Sequence, residues 1–323
     1  MEYISELKEK VFKNSLITKK EALALYDAPL EELCQAANEI RIHFCGSAFD
    51  ICTIINGKSG RCSEDCKFCA QSAHYHTEIQ SYSMLSTDTL LPEAKYNDIN
   101  GVLRYSIVTS GKALNDAELD SLCESVHIIG KQTKISVCAS LGLLKESQFQ
   151  KLKEAGVTRI HNNLETSRRY FPNVCSTHSY DEKIASIQAA QRVGLEVCSG
   201  GIMGLGETAE DRVDMALTLR ELGVNSIPVN LLNPIPGTPF ENNPPLTNDD
   251  MCRIVAVYRF LFPKSSIRLA GGRGLLADKG ESCFLSGGNA AISGDMLTTA
   301  GISISSDMKM LQNLGYKVVR WNG

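Results

Sequence analysis

The chain has one tryptophan in 323 residues, no apolar run of eighteen, no block of basic residues and no repeat or low-complexity tract. Each lack removes a class of protein. Without a long apolar run no membrane-spanning helix is expected. The N-terminal string MEYISELKEK is a charged amphipathic helix, not the apolar core of a secretion signal, so a cytoplasmic protein with no membrane partner is expected. A net charge of −4 without a basic cluster lacks the electrostatic footprint for nucleic acid. Nothing calls for a second domain, and 43% hydrophobic content over this length suffices for the core of one large α/β barrel. Cysteine, in contrast, is abundant. Disulfides are rare in a reducing cytosol, so twelve cysteines point to metal ligation and fit an oxygen-poor setting.

Three of them stand together. Cys62, Cys66 and Cys69, in the string CSEDCKFC, follow the apolar strand-like run Phe49–Ile55. A closed zinc site needs four ligands, usually as two separated pairs, and within ten residues downstream only His74 and His76 offer more. Three thiolates suit a [4Fe–4S] cluster with one iron left open to substrate. This spacing, with the aromatic Phe68 before the last cysteine, resembles the signature of the radical S-adenosylmethionine (SAM) enzymes, whose open iron chelates the amino acid end of SAM.

Around this string the chain alternates strands and helices. A helical layer is expected over residues 1–46, capped at Thr18, broken near Pro29 and stopped at Gly46. Strands are expected at Asp50–Ile55, Leu103–Thr109, Lys134–Ala139, Arg159–Leu164, Leu195–Ile202, Asn225–Leu231, Ser266–Leu269 and Asn289–Ser293. Amphipathic helices are expected near Asp116–Gly130, Lys145–Ala155, Tyr180–Val193, Ala209–Leu222 and Asn248–Leu261. Repeated strand–helix pairs with short links predict parallel pairing and closure into a (β/α)8 barrel over 47–300, followed by a C-terminal helix and tail over 301–323.

Active sites of such barrels gather at the C-terminal ends of the strands. Polar and sulfur-bearing residues recur on the expected strands or just after them: Ser106, Cys138, Asn163, Glu165, Cys198, Asn230 and Arg268. An inward ring of thiols, amides and a guanidinium is costly unless it binds something. Arg268, with no carboxylate within four residues, needs an anionic partner. Two glycine-rich strings follow strands. CSGGIMGLGET lacks the dinucleotide spacing but fits G-x-I-x-G-x-x-E through Gly200, Ile202, Gly204 and Glu207, the pattern that radical SAM enzymes place beside adenine. LAGGRGL, with Arg273, reads either as a flexible turn or as a ligand contact.

From Phe49 to Thr299 the strings CSEDCKFCAQS, ISVCASLG, HNNLETS, VCSGGIMGLGET, PVNLLNPIPGTP, IRLAGGR and CFLSGGN occur in order, and in them the chain resembles the biotin synthase family. The resemblance implies a barrel holding two iron–sulfur centres, with SAM and dethiobiotin between them, and insertion of sulfur into dethiobiotin after hydrogen abstraction by a 5′-deoxyadenosyl radical. It implies that Cys62, Cys66 and Cys69 hold the [4Fe–4S] cluster, and that Cys138, Cys198 and Arg268 are ligands of an auxiliary cluster. Asn163 and Glu165 would contact the SAM ribose and the ureido ring, and Asn230 would be a further substrate-side amide. The implied partners are dethiobiotin, a reductant such as flavodoxin or ferredoxin, iron–sulfur assembly proteins and a second copy in a homodimer.

The chain departs from the better-known family pattern in three places. Ser106 stands where a fourth auxiliary cysteine is usual, Glu165 where Asp is usual, and His178 where Arg is usual. A hydroxyl is a poor soft-metal ligand. The auxiliary centre is therefore expected to be a four-iron cluster with added sulfide in place of the usual [2Fe–2S], its remaining ligand being Cys175, Cys283 or Ser106 itself as an alkoxide. Two alternatives stand beside this reading: another auxiliary-cluster enzyme of hydrogenase-maturation or methylornithine type, and a non-enzymatic iron–sulfur carrier. A carrier has no use for a glycine-lined cleft or for Asn163, Glu165 and Asn230.

Overall fold

The computed structural model describes residues 2–321. Three helices form the N-terminal layer. α1 (Glu2–Phe12) buries Ile4, Leu7 and Val11 on one stripe, the spacing of a helix with a single apolar face. α2 (Lys19–Tyr26) opens on a reciprocal capping box, the Glu21 amide donating to Thr18 Oγ1 at 3.3 Å and the Thr18 amide to Glu21 Oε2 at 2.8 Å. α3 (Leu30–Cys45) starts after Pro29 and stops at Gly46, whose φ of +58° suits a residue without Cβ.

The barrel elements follow in order: β1 (Ala48–Lys58), α4 (Thr87–Ile99), β2 (Arg104–Thr109), α5 (Asp116–Gln132), β3 (Ser136–Ser140), α6 (Glu146–Ala155), β4 (Arg159–His161) and α7 (Tyr180–Arg192). Then come β5 (Glu196–Cys198), β6 (Gly201–Met203), α8 (Ala209–Glu221), β7 (Ser226–Leu231), α9 (Asn248–Leu261), β8 (Ser266–Leu269), α10 (Glu281–Leu285) and β9 (Ala290–Ser293). Every pairing among these strands is parallel, and β9 closes onto β1 with Cys52 opposite Ile292. The expected (β/α)8 barrel is what the chain forms, with β5 and β6 sharing one stave. Helices α2 and α3 pack outside it, against α8 and α9.

Three local expectations are corrected. The strand expected at Leu195–Ile202 is interrupted at Ser199 and Gly200. Pro228, in the middle of the neighbouring β7, has no amide to give to a ladder. The chain presses so close there that a Cβ on Gly200 would stand 1.9 Å from the Pro228 carbonyl oxygen. Helix α4 was not foreseen, because Pro92 lies inside it and only Leu90, Ala94 and Asn97 are buried. The tail is more than a helix: after α11 (Ile304–Asn313), β10 (Lys317–Val318) pairs with the first residues of β1, Ala48 opposite Lys317.

The tail seals the N-terminal end of the barrel. Trp321 donates its ring N–H to the Lys264 carbonyl at 2.7 Å and its amide to Asp50 at 3.3 Å, and its carbonyl accepts from Ser266 at 3.2 Å. The opposite, C-terminal end is open, and the long loop after β1 lies over it.

Candidate active site

That loop carries Cys62, Cys66 and Cys69, all half-buried. Backbone hydrogen bonds shape it: the Cys62 amide donates to Gln71 at 2.9 Å, the Ala73 amide to Cys62 at 2.8 Å and the Cys69 amide to Cys66 at 3.0 Å. The loop is docked on the segment after β4 through Lys67 to Val174 at 2.9 Å and through Asp65, whose carboxylate accepts the amides of Ser176 at 2.8 Å and Thr177 at 3.1 Å. Although burial opposes ionisation, these donors hold Asp65 well below the usual carboxylate range. The thiols feel one another, and burial followed by the charges of Cys62 and Glu165 pushes Cys69 up to about 11 despite backbone donors. Neither nearby histidine completes a closed site: His74 is exposed, its Nε2 2.9 Å from the Ser63 carbonyl, and His76 is exposed.

Beneath the loop a cavity of about 320 Å³ is lined by Phe68, Asn163, Glu165, Ile202, Asn230 and Gly271 among others. A deeper one of about 210 Å³ shares Asn163, Glu165, Asn230, Ile54 and Ile292 and reaches Ser106 and His161. Together they run from the cysteine loop into the middle of the barrel. Asn163 accepts from the Gly200 amide at 3.2 Å. Asn230 donates to the Gly201 carbonyl at 3.0 Å and accepts from the Gly271 amide at 2.9 Å, so it ties two strand ends together and keeps one N–H for a ligand. Glu165 holds a left-handed φ of +71°, a conformation that costs a non-glycine residue energy and marks functional sites. Its Oε2 is buried with no hydrogen bond among the described residues, and burial raises its pKa against the opposing pull of Lys183 and Asn163. In the glycine-rich turn the Gly204 amide donates to Glu207 Oε1 at 3.0 Å, which also takes Arg212 Nε at 2.7 Å; Gly200 presses on β7, and Ile202 faces the cavity.

A second constellation lies deeper. His161 sits opposite Cys198 across β4 and β5, and Cys138 sits opposite Ser106 across β3 and β2. His161 and the two thiols act on one another electrostatically. Against their burial, His161 and nearby guanidiniums lower Cys138 and bring Cys198 down to about 6, while the two sulfurs raise His161 to about 9 in spite of its own burial. Below them is a charged floor. Arg104 Nε and Arg268 Nη2 hold Asp50 at 3.0 and 2.7 Å, and Arg159 reaches Glu196 at 2.7 Å.

Arg268 thus has a carboxylate partner after all, supplied by β1 and not by its own sequence neighbourhood. Its Nη1 is also taken, by the Asp50 and Ala291 carbonyls at 3.1 and 3.0 Å, and Nε alone lacks a partner among the described residues. Neither candidate replacement thiol is in this layer. Cys175 Sγ lies 3.8 Å from Cys66 and 3.3 Å from His178 Nδ1, which is 2.7 Å from Glu64. The hydrogen bond from Cys66, with those from His178 and Thr177, brings Cys175 down to about 4. Cys283, on α10, is 3.8 Å from Cys252 in the outer helical layer. Arg273 is clamped, paired to Asp307 of α11 at 2.9 and 2.5 Å.

Two inward residues escaped the sequence reading. His161 lies two positions before Asn163 and shares its strand face, a period-two signal that was available. Cys52 was hidden inside the apolar run of β1; it packs with Ala270 and Ile292 on the lumen side, and burial pushes its thiol up to about 12 with help from Cys138, Asp50 and Cys198 and against Arg268.

A parallel barrel with a three-cysteine loop after its first strand defines a radical SAM enzyme, and the family model of the radical SAM superfamily matches residues 58–219. The model of the biotin and thiamin synthesis associated domain matches residues 228–317. The chain belongs to the biotin synthase family. It is 61% identical over 98% of its length to a biotin synthase of Brachyspira hyodysenteriae, covering 95% of that protein, and 56% identical over 98% to one of Akkermansia muciniphila, covering 99%. Among solved structures, methylornithine synthase superposes with a TM-score of 0.85 at 20% identity, each chain covered to 97%. The hydrogenase maturase HydG of Carboxydothermus hydrogenoformans superposes at 0.82 with 17% identity, over 98% of this chain and 79% of that one. At such identities these two share the fold. The enzyme is accordingly a radical SAM sulfurtransferase that uses a [4Fe–4S] cluster, SAM and an auxiliary iron–sulfur cluster to convert dethiobiotin to biotin. No helix among the described residues is long and apolar enough to cross a membrane.

Proposed function

We propose that the sulfur insertion runs along the barrel axis, with Cys62, Cys66 and Cys69 holding the four-iron cluster at the open end and Cys138 and Cys198 holding the auxiliary cluster at the sealed end. The donor chemistry fits both groups. Three thiols on a rigidly hydrogen-bonded loop suit a cluster with an open iron, and two thiols with lowered pKa values above three guanidiniums suit an anionic one. The two adjoining cavities between those ends, which share Asn163, Glu165 and Asn230, carry the reading.

When bound, the cofactors supply a 5′-deoxyadenosyl radical and the sulfur atom. The C–H bonds attacked are too weakly acidic for a side-chain base, so the chain's own residues bind, orient and shield. The turn from Gly200 through Ile202 and Gly204 to Glu207 would lie against adenine. Asn163 and Glu165 would face the ribose and the ureido ring. Burial raises the pKa of Glu165 and so shifts it toward the protonated form. The free N–H of Asn230 meets the uncharged ureido group. Because Ser106 supplies only a hydroxyl, the auxiliary centre is a four-iron cluster bearing an extra sulfide, which can be reloaded without dismantling its core. A flavodoxin- or ferredoxin-type reductant, iron–sulfur assembly proteins, a homodimer and a cytoplasmic setting complete the proposal.

The test is anaerobic. Reconstituted protein reduced with dithionite and given SAM should release 5′-deoxyadenosine, far more with dethiobiotin present, and should form biotin. A carrier releases none.

A further inference from the structure

Ser106 and β1 are direct neighbours: β2 pairs with β1 so that Ser106 stands opposite Ile54 and Arg104 opposite Cys52. Side chains of one strand alternate between faces, so Cys52 and Ile54 point the same way. That way is inward, because Cys52 packs with Ala270 and Ile292, and Ile54, Ala270 and Ile292 line the deeper cavity. A third thiol therefore enters the chamber of Cys138 and Cys198 from the strand beside Ser106, one inward step nearer the floor.

The chamber is built for an anion. Arg104, Arg159 and Arg268 place three buried guanidiniums around one fully buried carboxylate, Asp50; Glu196, the other acid of the group, has a side chain 41% exposed. Ser106 Oγ and Arg268 Nε have no hydrogen-bond partner among the described residues. A cluster held by several thiolates gives the Ser106 hydroxyl and the Arg268 Nε–H the partner they lack.

We propose that Cys52 is the third thiolate of the auxiliary centre, moved one strand over from the position now held by Ser106, and that His161 stands beside the iron left open for the added sulfide. The set Cys52, Cys138, Cys198 and His161 comes from four different strands, so the folded barrel itself is what assembles it. This rests on the reading of Cys138 and Cys198 as cluster ligands, and the experiment separates the two. In full-length protein with Cys62, Cys66 and Cys69 replaced by Ala, only the auxiliary site can hold iron. Iron and acid-labile sulfide per chain and the Mössbauer spectrum are then read after anaerobic reconstitution.

Cys52→Ser should lose half or more of the iron, or change its spectrum, and His161→Ala should change the spectrum while sulfide is retained. Adding Ser106→Cys to Cys52→Ser should restore the iron, because the thiolate returns to the chamber from the adjacent strand. Cys52→Ala, which removes only the sulfur, serves if the serine variant does not fold. Parent-level iron, sulfide and spectrum in both Cys52 variants, with loss in Cys138→Ala, overturns the role of Cys52 alone. Retention in Cys138→Ala as well overturns the reading beneath it.

Discussion

At the scale of single residues the site is a set of groups held in costly states. Glu165 combines a left-handed backbone with a buried carboxyl whose pKa is raised, first of all by burial. An acid with a raised folded pKa destabilises the fold at pH values above its ordinary range, since the folded state then keeps a proton that the unfolded chain has released. Glu165→Gln should therefore raise Tm at pH 7 in calorimetry while weakening SAM or dethiobiotin binding in equilibrium dialysis; a lower Tm contradicts this account of Glu165. Cys66 lies in a loop and not in a packed strand, so Cys66→Ala should fold with a parent-like circular dichroism spectrum and release no 5′-deoxyadenosine. The three-cysteine string was legible in sequence because its ligands are adjacent. The partnership of Arg268 with Asp50 was not, since 218 residues separate them and only the barrel joins them.

Elements position these residues through their ends. Asp211 caps α8 and at the same time fastens the segment after β4: it accepts the Thr208 amide at 2.9 Å, Ser167 Oγ at 2.5 Å and Arg169 Nε at 3.1 Å. Burial opposes its ionisation, but these donors bring its pKa from 3.8 down to about 2. A depressed carboxylate stabilises the fold above its unfolded pKa and loses that contribution as pH falls through the folded one. At about 1.4 kcal/mol per pH unit, Asp211→Asn should cost about 2 kcal/mol at pH 7 in denaturant titrations, and the gap to the parent should close between pH 4 and 2. A gap unchanged at pH 2 removes the carboxylate as its cause. Strand and helix periodicity exposed most of these elements beforehand. It could not expose α4, which has a proline inside and no apolar stripe, or the break before β6, which arises from Pro228 on another strand.

For the whole molecule the open end and the sealed end have different duties. The cysteine loop covers the end where substrate must enter, while β10 and Trp321 cover the other, fastened by the pairing of β10 with the first residues of β1 and by Trp321 on Asp50. Removal of residues 317–323 should lower Tm and speed the loss of auxiliary iron in air, followed by iron chelation; equal rates in the two proteins count against a sealing role. The barrel as a whole was readable from strand–helix alternation. Its floor was not, because a two-residue strand leaves no pattern.

The first strand of the barrel is also the one whose neighbours arrive last. β1 emerges early in synthesis, yet its partners β9 and β10 begin only at Ala290 and Lys317. On the ribosome the nascent chain must therefore keep β1 with one edge unpaired until β9 and β10 have been made. During that interval the barrel is not closed, so the deep cluster site proposed at Cys138 and Cys198 is open to loading before those strands pair.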